Sequence, residues 1–132
     1  MKLLSELDYQ FIQGSIDQKI SQIDYDSRTV KEDSLFVCIV GAQVDGHYFI
    51  DDVIQKGAKV IVVEKEVEYK EGITYIQVTD SRYALALLSC AFFNHPSRQM
   101  TVIGLTGTKG KTTTSYMVQS ILEKAHKKVG II

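Results

Sequence analysis

The residues best suited to chemistry form one short run, Thr106-Gly107-Thr108-Lys109-Gly110-Lys111-Thr112-Thr113. A glycine-punctuated turn opening a helix aims successive backbone N–H groups into one concavity. With the positive end of the helix, those donors favour a polyphosphate. Gly107 and Gly110 permit the close approach that a side chain would block. Lys111 is expected to place its charge on the β- and γ-phosphates of a bound nucleotide, and Thr112 its hydroxyl on Mg²⁺. The run departs from the general pattern G-x-x-x-x-G-K-[ST], because Leu105 stands where the first glycine belongs and Gly104 falls one residue too early. Its setting supplies the specificity that the shorter Gly-x-x-Gly-Lys-Thr lacks.

That setting is a strand expected over 101–106 and an amphipathic helix expected over 112–128. The apolar face of this helix is Met117, Val118, Ile121, Leu122 and Ala125, expected to be core. Lys124, Lys127 and Lys128 suit its C-terminus. Upstream, strands are expected at 22–26, 35–40, 60–63 and 73–78, the third strongly β-branched. Phe49, Ile50, Val53 and Ile54 repeat at helical spacing, with Gly57 as the C-terminal cap. A second helix is expected over 82–93, opened by Thr79-Asp80-Ser81 and apolar nearly all round, hence buried. Strands alternating with helices predict an α/β fold with a mainly parallel sheet. The sole proline, Pro96, lies in the breaker cluster 94–98, which places a boundary between domains at 1–98 and 99–132. The second piece stops inside a further expected strand at 129–132, so the sequence reads as an N-terminal domain followed by the truncated start of another.

Charge divides the same way. The chain of 132 residues carries a net charge of −1, yet residues 1–99 hold 10 basic against 15 acidic side chains, and residues 100–132 hold 5 against 1. The overall balance argues against a nucleic-acid-coating protein, while the basic end suits a local anion site. The hydrophobic fraction of 45% and charged fraction of 23% exclude a disordered chain. Apolar runs are too short to span a bilayer, and the first six residues show no apolar leader. Cys38 and Cys90 both sit in apolar surroundings and read as small buried hydrophobes, which suits a reducing, cytoplasmic compartment. The run 64–71 carries six charges and reads as a solvated loop.

Three further motifs accompany the glycine loop. They are Tyr25-Asp26-Ser27-Arg28, Asp33-Ser34-Leu35-Phe36-Val37, and Gly41-Ala42-Gln43-Val44-Asp45-Gly46-His47-Tyr48-Phe49-Ile50. In their order and spacing they resemble the D-S-R, G-D-L-F-V and G-x-x-x-D-G-H-x-F-I elements of the Mur ligases, and 106–113 resembles that family's T-G-T-N-G-K-T-T. D-S-R together with T-G-T points to the MurE type. The resemblance covers residues 22–132.

The resemblance implies an N-terminal domain that holds the uridine end of a UDP-sugar substrate, followed by the start of a central ATPase domain. It implies an ATP-dependent amide ligase of peptidoglycan precursor synthesis, which adds the third amino acid to UDP-N-acetylmuramoyl-L-alanyl-D-glutamate through an acyl phosphate. Residues 1–132 alone are then expected to be inactive. By the same carry-over, Tyr25, Ser27, Ala42, Gln43 and Val44 contact the substrate. Gly107, Thr108, Lys109, Gly110, Lys111, Thr112 and Thr113 hold ATP, Lys111 stabilises the transferring phosphoryl group, and Thr112 meets Mg²⁺. Lys109 replaces the family's asparagine. No nucleic acid or membrane partner is implied. Ser27 has an alternative reading as a turn hydroxyl, Arg28 as a partner of a diphosphate or of Asp26 or Asp33, and Asp45-Gly46-His47 as a turn. His95 reads as a helix-end residue and His126 as solvated. A MurF-type ligase and a stand-alone nucleotide-binding module are the alternative functions.

Overall fold

The computed structural model describes residues 4, 5, 7–15 and 17–132. The reading of the first six residues as lacking a leader therefore falls largely outside the described residues. The chain divides into two compact units, Met1–Pro96 and Ser97–Ile132.

The first unit is built on five strands: β1 (Gln10–Gln13), β2 (Gln22–Asp24), β3 (Ser34–Val37), β4 (Ala58–Val63) and β5 (Thr74–Gln77). Their order across the sheet is β1-β5-β4-β3-β2. β2 to β5 run parallel and β1 is antiparallel to β5. The continuous apolar runs of β3 and β4 follow from burial on both faces, as parallel sheets require. Leu35, Val37, Val60, Val62 and Ile76 face one side, packed with Ala84 and Leu88 of helix α2 (Ser81–Phe92). Phe36, Cys38, Ile61, Val63 and Tyr75 face the other, packed with Ile50 and Val53 of helix α1 (Ile50–Gln55). The result is a three-layer α/β arrangement.

Most expected elements form, with shifted ends. Gly57, with φ of 102°, ends α1 as expected and donates to Ile54 O at 3.0 Å. Asp80 opens α2 by accepting from the Tyr83 N–H at 2.9 Å. α2 is not buried all round, however. Ala84 and Leu88 are buried against the sheet while Tyr83 and Cys90 are exposed, because a helix in an outer layer meets the sheet on one stripe. The expectation that Cys90 is buried is thereby corrected; Cys38 is fully buried. Strand β1 escaped the sequence reading because its two apolar residues, Phe11 and Ile12, are adjacent and flanked by glutamines.

In the second unit, α3 (Lys111–Lys124) forms as expected. Residues 101–106 do not form a strand. A strand needs a neighbour to accept and donate its ladder bonds, and this unit offers none. The expected burial of the α3 stripe is likewise corrected: Met117 and Ile121 are exposed, and no residue of the helix is buried.

Candidate functional site

The glycine loop lies in the open. All residues from 101 to 114 are exposed. Gly110 precedes α3 with φ of 78° and Gly107 has φ of 152°, both in the region that glycine alone enters cheaply. These angles turn the chain sharply into the helix. Among the described residues the backbone N–H groups of 107–113 have no acceptor; the first paired one is that of Thr114, which donates to Gly110 O at 2.9 Å. The Lys111 ammonium folds back over the loop and donates to Gly107 O at 2.7 Å. The loop thus presents a row of unpaired donors with a cation held across it. The Thr112 and Thr113 side chains at the start of α3 and that of Lys109 in the turn make no bond among the described residues. This arrangement fits an anion of several charges. For a divalent cation Thr112 offers one neutral oxygen, and no group of three His, Cys, Asp or Glu ligands occurs among the described residues.

The other expected contacts sit in the first unit, on the segments that follow β2 and β3. These strands are parallel neighbours, so both segments leave the same end of the sheet, where open α/β folds bind ligands. Tyr25 is exposed, 64% of its surface open to solvent, and Ser27 is half-buried. Arg28 is accounted for locally: it donates from Nε to Asp26 Oδ1 at 2.9 Å and from Nη2 to Oδ2 at 2.6 Å. The hydrogen bonds that Arg28 gives to the Asp26 carboxyl hold it down at about 2. The Ser27 carbonyl accepts from Lys56 Nζ at 2.8 Å, which anchors this turn to the end of α1.

Ala42, Gln43 and Val44 form the tip of a four-residue loop and are all exposed. The loop is closed at its foot. Val40 and Asp45 pair as an antiparallel bridge, and the Gly41 N–H donates to Val44 O at 3.0 Å. The Asp45 carboxylate gathers three donors: the His47 backbone N–H at 2.9 Å, His47 Nδ1 at 2.5 Å and Lys65 Nζ at 2.6 Å. Partial burial pushes this carboxyl up, yet the Lys65 ammonium and the two His47 donors outweigh burial and hold it well below the usual carboxylate range. His47 is buried, and its Nε2 accepts from the Glu64 N–H at 3.1 Å. The ring is therefore the Nδ1–H tautomer when neutral, donating to Asp45. Asp45-Gly46-His47 is a turn, as one reading had it, and also a tie between two strand ends.

Lys65 and Glu64 were missed as contributors to this site. They belong to the charged run 64–71, whose composition looks like solvated loop and whose ion pair with Asp45 spans 20 residues of sequence. Neither of two surface grooves contains an expected contact. One of about 130 Å³ is lined by His47, Tyr48, Asp51 and Lys70 among others, and one of about 340 Å³ by Asp8, Tyr9, Glu64, Gln77 and Thr79 among others.

Residues 19–93 match the model of the Mur ligase family, catalytic domain. The chain is 46% identical over 130 residues to the UDP-N-acetylmuramoyl-L-alanyl-D-glutamate–2,6-diaminopimelate ligase of Clostridium perfringens, covering 98% of this chain and 27% of that protein. It is 48% identical over 132 residues to the ligase of the same name from Alkaliphilus metalliredigens, again over 27% of its length. Among solved structures, MurF from Acinetobacter baumannii superposes with a TM-score of 0.73 at 32% identity, over 93% of this chain and 27% of that one. The MurF ligase of Thermotoga maritima in complex with ADP gives a TM-score of 0.62 at 29% identity, over 83% of this chain and 25% of that one. The chain thus spans about a quarter of the length of these relatives. A family match over more than half of its residues, with relatives aligned along nearly all of it, means that the chain belongs to the Mur ligase family.

Proposed function

We propose that these 132 residues hold the two nucleotide ends of a ligase that joins 2,6-diaminopimelate to UDP-N-acetylmuramoyl-L-alanyl-D-glutamate. The observation that carries this reading is the exposed glycine loop at the start of α3, with unpaired N–H groups from 107 to 113 and Lys111 across it. The amino acid is taken from the names of the sequence relatives in Clostridium perfringens, Alkaliphilus metalliredigens and Clostridium botulinum, each a 2,6-diaminopimelate ligase. Gly107 to Thr113 would receive the phosphates of ATP, and Lys111 would exchange the Gly107 carbonyl for a phosphoryl oxygen. Its charge would offset the charge building up as the γ-phosphoryl group passes to the substrate carboxylate. An amine attacking the resulting acyl phosphate would release phosphate and leave the amide. Mg²⁺, when bound, would neutralise phosphate charge, with the Thr112 hydroxyl as one of its ligands.

The first unit would hold uridine between the turn at Tyr25 and Ser27 and the loop tip Ala42, Gln43 and Val44. Hydroxyl, amide and backbone groups at one end of a parallel sheet suit a neutral base. The two functions would thus divide at the boundary expected between 1–98 and 99–132, with the reaction in the cytoplasm. Bond formation itself is not assigned to residues 1–132 alone, since the relatives devote about three-quarters of their length to other parts. Calorimetry with UDP tests the division. Ser27→Ala should weaken UDP binding several-fold while Lys111→Ala leaves it unchanged; equal losses, or none in either, would overturn the assignment.

A further inference from the structure

Residues 42–44 at the loop tip are exposed, yet the foot of the loop is held by several bonds. The ties meet at Asp45 and pass on through His47, whose two ring nitrogens serve different neighbours. Nδ1 donates to Asp45, the residue that closes the loop by pairing with Val40. Nε2 accepts from Glu64, at the end of the core strand β4. Lys65 reaches the second Asp45 oxygen from the same strand end, and its ammonium lies 5.9 Å from the centre of the Tyr48 ring. We propose that His47 is the positioning residue for the substrate-holding loop, with Nδ1 setting the loop for its ligand and Nε2 serving the stability of the fold. The inference rests on the reading that loop 41–44 contacts uridine.

A purely structural histidine would not separate these two effects. Asparagine places an amide N–H near the position of Nδ1 and leaves the Nε2 position empty; glutamine reaches the Nε2 position with its carbonyl and leaves Asp45 without the ring donor. The test is UDP binding by calorimetry on the whole chain, with thermal melting and amide exchange of Gly41 and Gly46. These two N–H groups are bonded to Val44 O and Ile39 O and report on the foot of the loop. His47→Asn should melt lower but bind UDP within about two-fold of the native chain. His47→Gln should bind about ten-fold more weakly, with faster exchange at both glycines. Equal losses of affinity in the two variants, or native affinity in His47→Gln, would overturn the proposal. If the native chain fails to bind UDP, the reading of the loop as a uridine contact falls. The exchange arm then decides the role of His47 alone: unchanged protection of Gly41 and Gly46 in His47→Gln overturns it.

Discussion

Replacing Gly46 by alanine probes the foot of the loop directly. Its N–H donates to Ile39 O at 2.9 Å, which lays the turn against the chain leaving β3. A Cβ at this position would stand 2.8 Å from Ile39 N and 3.1 Å from both Cys38 Cα and Ile39 O. All three are backbone atoms, and Cys38 is fully buried, so no flexible side chain can yield. Overpacking of this kind costs about 1–3 kcal/mol, and stretching the Gly46–Ile39 hydrogen bond adds up to about 1 kcal/mol. The expected loss is about 2–3 kcal/mol, or roughly 10–20 °C in melting temperature for a unit of this size. Urea denaturation followed by circular dichroism measures it. Gly72→Ala is the comparison: no atom lies within 4 Å of its Cβ, but its φ is 80°, so the cost is conformational, about 1 kcal/mol. A loss in Gly46→Ala below about 0.5 kcal/mol, or smaller than that in Gly72→Ala, would refute the close packing of the turn on β3.

Burial pushes the Cys38 thiol up to about 12, with Asp45 adding to the shift, whereas Cys90 is exposed. An aromatic disulfide reagent at pH 8 should therefore label one thiol per native chain, at Cys90, and the second after denaturation. Because Cys38 ionises near 8.5 when unfolded, its contribution to stability should be present below that pH and decline as pH rises further. The Asp26 carboxyl, held down by Arg28, should titrate at about 2 by NMR and return towards 4 in Arg28→Ala. The sign follows: its contribution to folding is present above about pH 4 and is lost as pH falls towards 2. Gly110→Ala forces a side chain into the left-handed region at φ of 78°, a cost of about 1 kcal/mol. Affinity for inorganic triphosphate should fall about five-fold, with no change in the melting of the first unit.

The parallel sheet was legible in the sequence because burial on both faces leaves unbroken apolar runs, as in Leu35–Val37 and Val60–Val63. Helix ends were legible where a side chain or a glycine makes the cap, as at Asp80 and Gly57. Strand β1 was not, because its pairing with β5 depends on a partner more than 60 residues away and its own composition is half glutamine. Over 101–106 the error ran the other way: propensity favours a strand, and no partner strand accepts it. The glycine turn that opens α3 was legible from the spacing of Gly107 and Gly110. The network around Asp45 was not, since sequence shows Lys65 as one charge among six and gives no sign of which carboxylate it meets. The pairing of Arg28 with Asp26 is local, two residues apart, and was one of the alternatives that the sequence left open.

The bridge between Val40 and Asp45 makes loop 41–44 a surface segment with a fixed length. Exposed tips ordinarily tolerate added or deleted residues, but here one extra residue displaces Asp45 from Val40 and carries its carboxylate away from both His47 and Lys65. The bridge leaves the side chains at 42, 43 and 44 exposed and unconstrained but fixes their number. Exchanging the tip is therefore a matter of substitution at constant spacing, and grafts of unequal size should lose the Asp45 network before any effect of the new side chains is read.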